Sequence, residues 1–148
     1  MLGCTMAKNV GHLIDDKGSD VWHVAPGSTV YEALEIMAHR NVGALVVLDS
    51  AVLMGIVSER DYARKVILVD RGSRETLVRE IMTSEPITVS RSTSVTECME
   101  IMTDNRFRHL PVVEDGRVCG IISIGDVVRA VIEEQRFLID QLEGYITQ

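Results

Sequence analysis

Little in this chain is aromatic, and nothing in it is both long and apolar. One Trp, three Tyr and two Phe leave an apolar content of 46% to be carried almost wholly by aliphatic side chains. No run approaches the roughly 20 apolar residues that a bilayer-spanning helix needs, which excludes such a helix. Met1-Leu2-Gly3-Cys4-Thr5-Met6-Ala7-Lys8 lacks the basic and apolar blocks of a secretory signal. Cysteine is scarce: Cys4, Cys98 and Cys119 are odd in number and show no CxxC spacing. Cys98 and Cys119 fall on apolar positions, so they read as reduced core thiols of a cytoplasmic protein. Positive charge is in deficit, 15 Lys and Arg against 22 Asp and Glu, for a net charge of −7. That argues against non-specific binding to nucleic acid or to an anionic membrane. It leaves room for a small anion wherever basic residues cluster.

The usual marks of catalysis are missing too. There is no P-loop or GxGxxG fingerprint and no nucleophile elbow. His12, His23, His39 and His109 are scattered without metal-ligand spacing. The cysteines have no pairing histidine at a recognisable spacing. Neither an enzyme nor a metal site is expected.

What is present is a duplication. Val24-Ala25-Pro26-Gly27-Ser28-Thr29-Val30 runs on to Gly55-Ile56-Val57-Ser58-Glu59-Arg60-Asp61. Roughly 65 residues later, Val89-Ser90-Arg91-Ser92-Thr93-Ser94-Val95 runs on to Gly120-Ile121-Ile122-Ser123-Ile124-Gly125-Asp126. The copies align without a gap, matching Glu32 with Glu97, Met37 with Met102, Leu45 with Leu110 and Asp61 with Asp126. A unit of about 60 residues is marginal alone, so the two copies are expected to share a core about a pseudo-twofold axis.

Each copy reads as strand, helix, strand, strand, helix. Leu2 to Leu13 is a lead-in helix, ended by the polar stretch from Asp15 to Asp20. Val21 to Val24 is a short strand. Thr29 and Ser94, each with Glu three residues on, are capping-box starts of helices whose apolar residues follow at helical spacing. Ala44 to Leu48 and Val52 to Val57 are strands. Their counterparts, Leu110 to Val113 and Val118 to Ile122, bracket the hairpin signal Asp115-Gly116. Arg60 to Val69 and Asp126 to Leu142 are the second helices, and Arg71 to Thr76 is the linker. The domains are thus 1–17 (helix and lead-in), 18–76 (first copy) and 77–148 (second copy with its closing helix). The class is α+β, a small mixed sheet with helices on one face.

Ser58/Asp61 and Ser123/Asp126 sit where a strand passes into a helix. One reading is that they are ordinary helix caps. The other is that each carboxylate accepts two hydrogen bonds from a ribose diol, with the serine donating to a sugar or phosphate oxygen. Arg106-Phe107-Arg108-His109 precedes the second copy's hairpin and could clamp a phosphate, or be a solvated charged turn. The first copy has Asn41, Val42, Gly43 and Ala44 there, so two unequal sites are expected. Lys17-Gly18 and Thr83-Ser84 are read as equivalent, as are His23 and Thr88. Gly18 and Thr83 could bring backbone close to a ligand, and Ile87, Val89 and Phe107 could form a slot for a flat base.

The doubled unit resembles a tandem pair of CBS domains, the Bateman module, over about residues 18 to 130. The motifs are Gly55 to Asp61, Arg108-His109-Leu110-Pro111-Val112 and Gly120 to Asp126. The stretch from Ser58 through Arg60 and Asp61 to Val66 resembles stand-alone CBS-pair proteins of bacteria and plant mitochondria. The resemblance implies two β-α-β-β-α domains packed sheet to sheet, and clefts for adenosyl ligands: AMP first, with ADP, ATP, S-adenosylmethionine or NAD as alternatives. It implies a non-catalytic sensor in signal transduction, or else a dimerisation scaffold with vestigial clefts. Asp61 and Asp126 would hold ribose, with Ser58 and Ser123 beside them. Arg108 and His109 would face the ligand at Asp61, while the ligand at Asp126 would face Gly43 and Ala44. Lys17, Gly18, His23, Thr83, Ile87 and Thr88 resemble base-lining positions. The family's habit of forming flat dimers implies a homodimer through the terminal helices, where Val131, Phe137, Leu138 and Leu142 are apolar. The regulated protein is unknown, and no nucleic acid or membrane partner is implied.

Overall fold

The computed structural model describes residues 8–18 and 20–147, with backbone only for 145–147. The first repeat runs α1 (Val10–Lys17), β1 (His23–Val24), α2 (Val30–Arg40), β2 (Ala44–Asp49), β3 (Val52–Ser58) and α3 (Glu59–Lys65), followed by a 3-10 turn at Ile67–Val69. The second runs α4 (Val78–Ile81), β4 (Thr83–Ser84), α5 (Val95–Asn105), β5 (His109–Glu114), β6 (Arg117–Ser123) and α6 (Ile124–Thr147).

Helix starts follow local chemistry. Thr29 and Ser94 accept the amides of Glu32 and Glu97, both at 3.1 Å, which places α2 and α5 where their apolar stripes begin. α1 departs from expectation. Asn9 caps it by accepting the amide of His12, whose Nδ1 accepts the Asn9 amide, both at 3.1 Å. The helix then runs through Asp15 and Asp16 to Lys17 rather than stopping at Leu13. The polar residues do not break it because they lie exposed, with Asp15 paired to Arg91 at 2.9 Å. Leu2 to Ala7 and Cys4 lie outside the described residues. The helix expected from Arg60 to Val69 is broken at Val66, whose ψ of −72° turns the chain into the 3-10 segment.

In the first repeat β1 runs parallel to β2, β2 antiparallel to β3, and β4 adds to the far edge of β3 through Gly55 opposite Ser84 and Ile56 opposite Thr83. β5 and β6 form the second sheet, with Val89 bridging Val112 as β1 bridges β2. β3 lies against β6, so the sheets meet across the repeat boundary.

The lead-in helices change sides. Val10, Leu13 and Ile14 of α1 belong to the apolar core of the second repeat, with Val95, Cys98, Met102 and Leu110. Val78 and Ile81 of α4 belong to that of the first, with Val30, Met37, Leu45 and Val57. The hydrogen bonds are equivalent: the Val10 amide donates to Thr93 O at 2.9 Å, and the Val78 amide to Ser28 O at 2.8 Å. Val10 therefore corresponds to Val78. Fourteen positions separate Val10 from Val24, but only eleven separate Val78 from Val89. The repeat is gap-free from its first strand onward and carries a three-residue excess ahead of it. This corrects the matching of Lys17-Gly18 with Thr83-Ser84: the first copy spends the excess on a further helical turn, where the second makes strand β4.

Candidate functional site

At the end of β3 the Ser58 side chain accepts the Asp61 amide at 3.2 Å, and Asp61 Oδ2 accepts the Ser58 amide at 2.9 Å. Ser123 and Asp126 repeat this at 3.2 and 2.8 Å. Both pairs are helix caps. What differs is their surroundings.

Asp61 and Ser58 open onto a cleft of about 590 Å³ whose walls come from both repeats. β3 and α3 supply Ile56, Ser58, Arg60 and Asp61; β4 supplies Thr83; the turn between α5 and β5 supplies Arg106, Phe107 and Arg108, and the start of β5 supplies His109. Ile56, Glu59, Arg64, Lys65 and Asn105 are not among the residues the sequence singles out, and Gly43, expected beside Asp126, lines this cleft instead. Arg64 and Lys65 were legible in principle, since they follow Arg60 and Asp61 by one helical turn.

The cleft is cationic on an acidic protein. Arg60, Arg64, Lys65, Arg106 and Arg108 face two carboxylates, Glu59 and Asp61. Lys65 lies 3.3 Å from Asp61 Oδ1 and also donates to Ile81 O at 2.9 Å. The four arginines form no ion pair among the described residues. Arg64 above all, then partial desolvation, then Arg108 and Arg106, hold the Arg60 pKa below its ordinary value, with Asp61 pulling the other way. Arg106 ends α5 in the left-handed region at φ 57°, where the first repeat has Asn41 at φ 55°. His109 begins β5 opposite Ser123 and packs its ring toward Gly43. Burial, then the Lys17 ammonium and, less strongly, Arg108 push its pKa down, Asp126 acting against them.

The other expected residues are not brought to this cleft. Asp126 and Lys17 line a separate depression of about 230 Å³ between α1 and α6, with Leu13, Asp16, Arg129, Ala130 and Glu133. Gly43 and Ala44 do not line it, contrary to expectation: Gly43 lines the first cleft and Ala44 is buried. Asp126 Oδ2 accepts from Lys17 Nζ at 2.7 Å, and Oδ1 from Arg129 at 2.7 Å. Burial alone would raise the Asp126 pKa; Lys17 and the Ser123 amide outweigh it and hold it low. Ser123 caps α6 without lining either depression. His23 lines a groove on the outer side of the first repeat with Glu32 and Ile36. Gly18, Ile87 and Thr88 are exposed and line no pocket described here, and Val89 is in the core, so the expected slot for a base keeps only Phe107.

Comparison with known proteins agrees with the duplicated architecture. The family model for the CBS domain matches residues 6–68 and 78–133. The CBS domain-containing protein CBSX3, mitochondrial, of Arabidopsis thaliana is 48% identical over 134 residues, 87% of this chain; the chain spans 65% of that relative's length. A protein with CBS domains from Burkholderia ambifaria, provisionally described as acting in signal transduction, superposes with a TM-score of 0.82. It is 45% identical, covering 86% of this chain and 96% of its own. CBSX2, solved in complex with AMP, superposes at 0.69 with 27% identity, covering 85% of this chain and 97% of its own. Two family matches, two cores with exchanged lead-in helices and two capped Ser/Asp pairs lead to one conclusion: the chain belongs to the CBS-domain family.

Proposed function

We propose that the chain is a non-catalytic regulatory module that binds one adenine nucleotide in the cleft beside Asp61. The observation that carries this reading is that Arg60 and Arg64, beside the capped Asp61, meet Arg106 and Arg108 from the other repeat, none of the four in an ion pair among the described residues. Asp61 Oδ2 is engaged by its cap, while Oδ1 meets Lys65 alone among the described residues and can accept a ribose hydroxyl. Phe107 and Ile56 offer the apolar surface for the base, and the arginines take phosphate oxygens. A cleft of this size falls in the range used by small ligands, about 300–1,000 Å³. The AMP bound to CBSX2 supports the ligand class.

One phosphate does not use all of these cations. The cleft therefore favours ADP, ATP or the pyrophosphate of NAD over AMP at low ionic strength. Binding would bias the relative orientation of the repeats and so the contact with a regulated protein. A second copy of the chain is the partner we infer for α6, where Val128, Ile132, Leu138 and Leu142 are exposed. The free thiols Cys98 and Cys119 fit a reducing compartment, the cytoplasm in this reading.

A thermal-shift series tests the assignment, since a ligand that binds only the folded state raises Tm. AMP, ADP, ATP and NAD should each raise it, ATP more than AMP and AMP more than adenosine. No shift with any of them at millimolar concentration overturns the reading.

A further inference from the structure

The second Ser/Asp pair matches the first in its cap and in a cation one helical turn on, Arg129 at Asp126 Oδ1 where Lys65 meets Asp61 Oδ1, and differs in the groups that face it from α1. Lys17 Nζ makes two contacts there: 2.7 Å to Asp126 Oδ2 and 2.9 Å to Ile121 O. Ile121 is the repeat counterpart of Ile56, and Ile56 pairs with Thr83 of β4. No described strand pairs with that edge of β6, and the lysine ammonium supplies the donor to the Ile121 carbonyl. The extra turn of α1, made from the three-residue excess, is what carries Lys17 to this point. The depression that remains, about 230 Å³, is smaller than small-ligand pockets usually are. It takes no wall from the first repeat beyond α1 itself.

We propose that Lys17 is an internal counter-ion that holds the Asp126 site shut, so that the chain takes its nucleotide at Asp61 alone. This rests on the nucleotide reading of the first cleft. In the open form we infer, the last turn of α1 unwinds into an edge strand on β6, as β4 lies on β3; Asp126 then loses Lys17 and keeps its cap and Arg129, as Asp61 keeps its cap and Lys65. A ligand entering there must first displace the ammonium, so the closed form is favoured by the strength of that pairing. The asymmetry between the clefts then follows from one inserted turn, with no change in the Ser/Asp motif.

Titration calorimetry of the full chain with AMP tests it. The wild type should take one AMP per chain. Lys17→Ala and Lys17→Met should each take two, the second lost again on adding Asp126→Ala. Lys17→Arg, which keeps the cation, should stay at one. Two AMP per chain in the wild type, or one in both neutral variants, overturns the lock while leaving the Asp61 assignment intact. No binding by any variant overturns the nucleotide reading and the lock with it. A ligand-free readout is the double-mutant cycle of Lys17→Met and Asp126→Asn on thermal stability: the effects should be non-additive, and strict additivity contradicts the pairing.

Discussion

A side-chain carbon at Gly55 would stand 2.5 Å from the carbonyl oxygen of Thr83 and 2.9 Å from Met82 Sδ. Absence of a Cβ is thus what lets β4 lie on β3 and bring Thr83 to the cleft. Gly120, its repeat counterpart, meets the Cδ1 end of Ile14 instead. Backbone cannot step aside, whereas the tip of an isoleucine can rotate. Gly55→Ala should therefore cost about 2–3 kcal/mol and weaken nucleotide binding, and Gly120→Ala about 1 kcal/mol. Denaturant unfolding measures both, and equal costs contradict the packing argument.

Arg106 holds a left-handed conformation that Asn41 fills in the first repeat. A non-glycine residue there costs about 1 kcal/mol, less for Asn. Arg106→Asn should leave stability unchanged or higher while lowering affinity for ATP. A variant both less stable and equally tight would show that the guanidinium serves the fold and not the ligand.

Arg60 and Arg64 lie one helical turn apart on the same wall. If they read the outer phosphates, replacing both by Gln should weaken ATP binding about tenfold or more and AMP binding much less. The salt dependence of ATP affinity should flatten as well. Equal losses for ATP and AMP would place the phosphate chain elsewhere.

His109 links pH to stability. Its folded pKa lies below the ordinary value of 6.5, burial being the largest cause and Lys17 the next. As pH falls through about 6.5, the unfolded chain takes up a proton that the folded imidazole does not. Stability present above that pH should therefore decline as pH falls toward the depressed value. His109→Gln should flatten the slope of unfolding free energy between pH 7 and 5; an unchanged slope contradicts the assignment.

Repetition made the caps readable: Ser58 and Asp61 could be matched with Ser123 and Asp126, and Arg106 to His109 stood out because the first copy has no charge there. The environment of each cap was not readable. Val10, Leu13 and Ile14 announce an apolar face, but nothing in their spacing says that it packs on the distant second repeat. The excess ahead of the first strand hides in an ungapped alignment, so Lys17 read as a lining residue when it pairs with Asp126. His23, Ile87 and Thr88 failed as cleft residues for a geometric reason. His23 and Thr88 lie just before Val24 and Val89, which bridge β2 and β5 on the side away from the β3 and β6 seam. Nothing in the sequence marks Arg64 and Lys65 off from a charged helix face that meets only water.

The central claim is that Asp61 and the facing arginines hold an adenine nucleotide. The most direct measurement is calorimetric titration of ATP into nucleotide-free wild type, Asp61→Ala and Arg108→Ala. The account predicts one ATP per chain in the wild type. Asp61→Ala should lose a few kcal/mol of binding at most, about the worth of charge-assisted hydrogen bonds. Arg108→Ala should lose affinity for ATP while sparing adenosine. Undiminished ATP binding by Asp61→Ala, or no heat with the wild type at millimolar ATP, would contradict it.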